Sequence, residues 1–171
     1  MFINNLLINS LAKLAKEFQI IHQTGVNNFE LVKKEIDTMK NEGPKVIAGN
    51  IEKNYRAYGF LNEEELKNGY AISDLVVSRS GSSIFEIAVL AKPSIVIPYP
   101  YSAKNHQKEN AAEFAKFGAV VLEEENLKPH ILIDQIKHLL DNPSVGEGIK
   151  KFARLDAGRI IAEEIITNIK N

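Results

Sequence analysis

The stretch Ser78-Arg79-Ser80-Gly81-Ser82-Ser83-Ile84-Phe85-Glu86-Ile87-Ala88 joins two different hydrophobic patterns. Before it, residues 74–77 form a short strand-like run. After it, Ile84, Ile87, Ala88 and Ala91 recur at the spacing of one helical face. The joint is a polar turn containing glycine. A strand-to-helix turn of this kind aims the helix's first free N–H groups, and the positive end of its dipole, beyond the strand's carboxyl end, where a phosphate would be stabilised. A second reading needs no ligand: Ser83 and Glu86 have the spacing of a capping box, in which a hydroxyl and a carboxylate satisfy each other's backbone N–H groups.

Working outward, short apolar runs alternate with amphipathic segments. Leu6, Leu7, Leu11, Leu14 and Ala15 predict an amino-terminal helix, followed by a strand over residues 18–22 and a turn at Gln23-Thr24-Gly25. Phe29, Val32, Ile36 and Met39 predict a helix over residues 28–41, capped by Asn27 or Asn28 and stopped by Glu42-Gly43-Pro44. Residues 43–53 are rich in turn formers and read as a loop with an edge strand at most. A strand over 55–60 and a short helix over 61–70 precede the quoted stretch.

Downstream, Ser94-Ile95-Val96-Ile97 has the continuous apolar character of a strand covered on both faces in a parallel sheet. Pro98-Tyr99-Pro100-Tyr101 is a stiff loop, and Ser102 or Asn105 caps a helix running to Phe117. Gly118 terminates that helix ahead of a fifth strand over 119–122. Helices over 129–140 and 157–169 follow, the latter expected to pack on the body through Ile161, Ile165 and Ile169. The alternation predicts βαβ units, and so an α/β fold with a parallel sheet.

At 171 residues the chain suits one domain with a sizeable core. Lys and Arg total 21 against 22 Asp and Glu, so no bulk positive field recruits nucleic acid. The absence of cysteine removes disulfides, thiolate metal sites and a cysteine nucleophile. His22, His106, His130 and His138 show no metal-ligand spacing on one helix face, and the common nucleotide and hydrolase signatures are missing. Apolar runs fall far below the roughly 20 residues that span a bilayer, and the amino-terminal helix lacks the features of a signal peptide.

Gln107 shares a helical face with Ala111 and Phe114, so an amide opens a core-facing stripe. It either satisfies a neighbouring loop or, with Asn105 and His106, faces a hydroxyl-rich ligand at the sheet's carboxyl edge.

Taken together, Ser78-Arg79-Ser80-Gly81 to Glu86-Ile87-Ala88, Pro93-Ser94-Ile95-Val96-Ile97-Pro98-Tyr99-Pro100, and Asn105-His106-Gln107 with Asn110-Ala111 resemble the MurG family. These are the N-acetylglucosaminyltransferases that convert lipid I to lipid II in bacterial peptidoglycan synthesis. The likeness begins at Ile20-Ile21-His22-Gln23-Thr24-Gly25 and runs nearly to the end. It implies a Rossmann-like, three-layer parallel fold: the carboxyl-terminal, donor-binding domain of a GT-B glycosyltransferase, spanning residues 1–171 as one domain.

The resemblance gives Glu86 to the ribose hydroxyls of UDP, and the backbone around Gly81, Ser82 and Ser83 to the diphosphate. His106 and Gln107 correspond to the pair on the GlcNAc hydroxyls, Leu61 to the residue whose main chain reads uracil, and Arg79 to a structural position. It implies no cofactor and no metal, with UDP-GlcNAc as one partner. The lipid-linked acceptor would be met through an amino-terminal domain or partner chain that also supplies the general base. The location implied is cytoplasmic or peripheral at the inner face of the cell membrane.

Some features depart from the family. The interval from Arg79 to Glu86 is one residue shorter, and Ala91 replaces a usual glycine, at a cost of roughly 1 kcal/mol if its backbone is left-handed. The family's first strand and Gly-Gly-Ser turn are absent ahead of the first helix; that strand would lie beside the one at residues 18–22. The expected function is the donor-binding half of an inverting, metal-independent hexosyltransferase, inactive alone. The alternatives are a free-standing nucleotide-sugar-binding subunit that needs a partner chain, as in the two-subunit dolichol-linked GlcNAc transferase, and half of a UDP-GlcNAc epimerase.

Overall fold

The computed structural model describes residues 1–169. The chain divides into two compact units: Met1–Ser73 with Glu124–His138, and Asp74–Glu123 with the chain from Leu139 onward.

In the first unit, α1 (Phe2–Glu17) leads into β1 (Ile20–Gln23). The chain then passes through α2 (Phe29–Glu42) and α3 (Lys45–Asn54) to β2 (Tyr55–Tyr58). β1 and β2 pair in parallel, from Ile20 opposite Tyr55 to Gln23 opposite Tyr58. Ile8, Leu11 and Ala15 of α1 close a core with Val32 and Ile36 of α2, Ile51 of α3 and Tyr55.

The segment read as a loop is therefore the helix α3. Gly49 and Asn50 are poor helix formers, but the helix puts Ile51 at 0% exposure in the core with Ile47 packed beside it. That burial outweighs local propensity. Pro44, which lacks an N–H, stands at its N-cap. Asn54 donates to the carbonyl of Ala15 at 2.9 Å, satisfying a carbonyl at the end of α1. Asn28 stands at the N-cap of α2, yet its side chain donates to the carbonyl of Thr24 at 3.1 Å instead of capping.

β2 is followed by α4 (Glu63–Ile72), whose cap is a complete capping box. Glu65 N–H donates to Asn62 Oδ1 at 3.0 Å, and Asn62 N–H donates to Glu65 Oε2 at 2.9 Å. All but the last two residues of α7 (Pro129–Leu140) complete this unit.

In the second unit, β3 (Val76–Ser78), β4 (Ser94–Val96) and β5 (Val120–Val121) form a parallel sheet in that order. α5 (Ser83–Val89) and α6 (His106–Ala115) connect them. Central β4 is buried throughout, as its continuous apolar run predicts. Ile84, Ile87 and Ala88 of α5 are at 0% exposure, as is Phe114 of α6. α8 (Val145–Lys150), which the sequence reading did not anticipate, leads into Phe152. The Phe152 ring lies 5.3 Å from Phe85, 5.0 Å from Phe114 and 5.4 Å from Phe117, centroid to centroid, gathering four aromatic rings.

Three further expectations are modified. The strands are parallel but belong to two sheets, β1-β2 and β3-β4-β5, with β1 paired to β2 alone among the described residues. Ser83 does not cap α5: Ser82 holds the N-cap position in a helical conformation (φ −60°, ψ −24°) and makes no side-chain cap bond. A cap oxygen reaches back only from an extended backbone, such as that of Asn62 (φ −67°, ψ 174°). Finally, α9 (Ala157–Ile169) buries no residue, and Ile161, Ile165 and Ile169 are 57%, 53% and 78% exposed. No helix among the described residues is long and apolar enough to cross a membrane.

Candidate functional site

Within the second unit, the turn after β3 and the start of α6 are tied together. Ser80, at 0% exposure, donates its hydroxyl to the carbonyl of Gln107 at 2.7 Å, and the amide of Asn110 donates to the carbonyl of Ser80 at 3.0 Å. Gln107 in turn binds the loop after β4: its Oε1 accepts from Tyr99 N–H at 2.9 Å. Loops following neighbouring parallel strands thus interlock at the sheet's carboxyl edge, where open α/β proteins bind ligands.

Arg79 braces this edge from beneath, donating Nη1 to the carbonyls of Ile97 (3.1 Å) and Pro98 (3.2 Å). Its guanidinium lies 5.4 Å from the centre of the Tyr99 ring. This is the structural role expected of it.

Gly81 leads into the turn without crowding, since a Cβ there would meet nothing within 4 Å. Ser82 is exposed, and the Ser83 hydroxyl pairs with that of Ser78 at 3.1 Å. The first helical bonds, Ile84 N–H to Gly81 and Phe85 N–H to Ser82, leave the preceding N–H groups directed out of the helix's amino end. Glu86 is exposed one turn into α5, and His106 is exposed as the first residue of α6. Asn105 and Lys104 bring the chain into α6 through left-handed conformations, at φ 58° and 47°. Gln107 thus serves a loop with its acceptor, the first of the two readings of it made from sequence.

Leu61 belongs to the first unit. Its side chain is buried, and its N–H donates to Gln23 Oε1 at 2.9 Å. Phe60, just before it, is 67% exposed.

The first unit also holds a buried polar cluster that the sequence did not reveal. His22 Nδ1 lies 2.8 Å from Tyr55 Oη, and His22 Nε2 lies 3.1 Å from Asn4 Oδ1. Because Asn4 Nδ2 donates to the carbonyl of Thr24 at 3.0 Å, its Oδ1 is the acceptor facing the ring. That assigns the hydrogen to Nε2 and makes Nδ1 the acceptor for the tyrosine hydroxyl. Burial lowers the His22 pKa to about 4 and raises that of Tyr55 to about 12, so both remain neutral.

An open groove of about 570 Å³ between α1 and α2 is lined by Ile8, Ala12, Leu31 and Met39 together with Asn9, Lys34, Glu35 and Thr38. Among the described residues, no three His, Cys, Asp or Glu side chains converge as metal ligands.

Ser80, Asn110 and Tyr99 belong to the quoted motifs, but the bonds that join them emerge only once the chain is folded. Their partners lie 27, 30 and 8 residues away, and no local pattern links them.

Parallel strands, helical connections and polar loops interlocked at the carboxyl edge define an open α/β protein. The profile described as Glycosyltransferase family 28 C-terminal domain matches residues 1–162, and the chain belongs to that family.

Two curated relatives, in Geobacter sulfurreducens and Geobacter metallireducens, carry the name UDP-N-acetylglucosamine--N-acetylmuramyl-(pentapeptide) pyrophosphoryl-undecaprenol N-acetylglucosamine transferase. The first is 31% identical over 94% of this chain and 42% of its own length; the second is 35% identical over 92% and 41%. The chain therefore spans about two fifths of the length of these relatives. Among solved structures, MurG of Acinetobacter baumannii matches with a TM-score of 0.73 at 20% identity, covering 97% of this chain and 46% of that one. The glycosyltransferase of kitacinnamycin matches with a TM-score of 0.64 at 19% identity, over 96% and 38%. These likenesses carry the fold, and the MurG-family resemblance read from the sequence holds.

Proposed function

We propose that residues 1–171 are the donor-binding domain of an inverting, metal-independent hexosyltransferase that moves GlcNAc from UDP-GlcNAc to lipid I in peptidoglycan synthesis. The lipid-linked acceptor and the general base belong to an amino-terminal domain or a partner chain, so this chain alone binds donor weakly and transfers nothing. It works in the cytoplasm or at the inner face of the cell membrane. The observation that carries the reading is the Ser80 to Gln107 hydrogen bond of 2.7 Å, which joins the two loops given to the diphosphate and the sugar. The family match and the names of the relatives support it.

In this reading, the N–H groups around Gly81, Ser82 and Ser83 meet the charge of the diphosphate, and stabilise it further as UDP departs. Glu86, acceptor-only when ionised, takes hydrogens from the two ribose hydroxyls. His106 and the Nε2 of Gln107 bind hydroxyls of the GlcNAc ring, while the main chain of Leu61 reads the uracil.

Titration of UDP-GlcNAc into the purified chain tests this, with Glu86→Ala and Gln107→Ala in parallel and EDTA present in a matched series. The expected result is weak binding that each substitution reduces about tenfold or more, unaffected by EDTA. Binding that both variants leave unchanged would overturn the site. GlcNAc transfer by the chain alone would overturn its dependence on a second domain.

A further inference from the structure

β1 ends at Gln23, opposite the last residue of β2, Tyr58. The chain beyond β2, Gly59-Phe60-Leu61, is pinned to the end of β1. Thr24 N–H donates to the Tyr58 carbonyl at 2.8 Å, the Thr24 hydroxyl to the same carbonyl at 3.2 Å, and Leu61 N–H to Gln23 Oε1 at 2.9 Å. The capping box of Asn62 and Glu65 fixes the other side of this loop. Leu61 is 8% exposed and its N–H is taken by Gln23, which is exposed and long.

A backbone N–H carries one hydrogen. If the main chain of Leu61 reads a base, Gln23 already occupies the donor that the base would use. The chemistry of the occupant is informative. A primary amide offers a carbonyl acceptor beside an N–H donor, and the imide edge of uracil offers the same order. Cytosine puts an amino donor where uracil has that carbonyl, and would set donor against donor.

We propose that Gln23 is an intramolecular stand-in for the pyrimidine: it holds Leu61 N–H in the empty protein and yields it to the base carbonyl on binding, so that the released N–H selects an imide-edged base while Gln23 sets how tightly that base is held. This rests on the reading that the Leu61 main chain meets the base. The exchange replaces one carbonyl acceptor with another, and the released amide, on an exposed residue, is taken up by water. Gln23 acts through Leu61 and is a positioning residue.

The test is titration of UDP and CDP into the nitrogen-15-labelled 171-residue chain and its Gln23→Ala and Gln23→Glu variants, followed by NMR. Removing the competitor tightens UDP binding about three- to tenfold in Gln23→Ala. Gln23→Glu, whose carboxylate grips the N–H more strongly, weakens UDP binding by a similar factor. Uridine, which has no diphosphate to repel the new charge, shows the same order of variants. CDP stays weak throughout, and in the wild type the Gln23 side-chain amide signals move on saturation with UDP.

A scaffolding role for Gln23 gives the opposite order, with Gln23→Ala weaker than wild type and Gln23→Glu retained; that result overturns the proposal. UDP binding that depends on Glu86 but leaves the Leu61 and Gln23 signals unmoved also overturns it, while donor binding survives. No UDP binding in any variant removes both.

Discussion

Replacing Ala91 by glycine should stabilise the second unit. α5 ends in a Schellman motif: Lys92 N–H donates to the carbonyl of Ile87 at 3.3 Å, and Ala91 N–H to that of Ala88 at 3.0 Å. The motif requires a left-handed residue, and Ala91 fills the position at φ 52°. An L-residue with a Cβ loses roughly 1–2 kcal/mol there. Glycine removes that strain but loses about 0.5–1 kcal/mol more chain entropy on folding. The net gain is about 0.5–1 kcal/mol.

The strain has no easy local escape, because Gly146 abuts the carbonyl of Ala91 so closely that a Cβ on Gly146 would run into it. With two compact units a single melting midpoint is ambiguous. Amide hydrogen exchange of Ile95 and Val96 in buried β4 reads the second unit directly. Protection in Ala91→Gly should rise about two- to fivefold, the factor corresponding to that gain at 1.4 kcal/mol per tenfold. Unchanged or reduced protection would refute the reasoning, and would mean that the left-handed turn carries no strain.

Two other perturbations follow from the same structure. His22, with its pKa lowered to about 4 against 6.5 unfolded, refuses a proton that the unfolded chain accepts. Its contribution is complete above about pH 6.5 and is lost as the pH falls toward 4, amounting to about 3 kcal/mol. Amide-exchange protection of Ile51, in the core of the first unit, should therefore converge between wild type and His22→Gln on acidification, and a constant ratio would contradict the burial argument. Ser80→Ala, by removing the 2.7 Å bond to the Gln107 carbonyl, should lower stability by about 1 kcal/mol and weaken UDP-GlcNAc binding several-fold. Calorimetry and titration of the same sample check both, and full retention of donor affinity would argue that the two loops act independently.

The periodic parts of the chain were legible from sequence. Helices α7 and α9 fall where their apolar stripes predict, and β4 is buried as its unbroken apolar run requires. What escaped depends on contacts remote in sequence. In α3, Gly49 and Asn50 speak for a loop, while the pull of Ile51 into a core with Leu11 and Val32 is invisible locally. The capping-box pattern occurs at both Asn62/Glu65 and Ser83/Glu86, and only the backbone angles distinguish them. The stripe of α9 was read correctly as apolar, but periodicity says which face is apolar and not what covers it. The candidate site divides in the same way: the turn and Gln107 were visible as motifs, whereas the bond by which buried Ser80 of that turn joins them was not.

That division bears on how the rim selects a ligand. The strong polar groups most easily noticed in sequence are partly engaged by the protein: Arg79 with the carbonyls of Ile97 and Pro98, the acceptor of Gln107 with Tyr99, and the hydroxyl of Ser83 with Ser78. Left for a ligand are the N–H groups opening α5 and, in the proposed function, the Nε2 of Gln107, with Glu86 as an exposed carboxylate on the same helix as the first of these. Donors of fixed direction favour an anion without requiring a mobile cation, and an acceptor-only group favours adjacent hydroxyls. A diphosphate bearing a diol on one side and a sugar on the other combines those demands. Under the proposed function, a free phosphate would satisfy the donors and leave Glu86 opposed to it, so the rim would discriminate by charge arrangement as well as by shape.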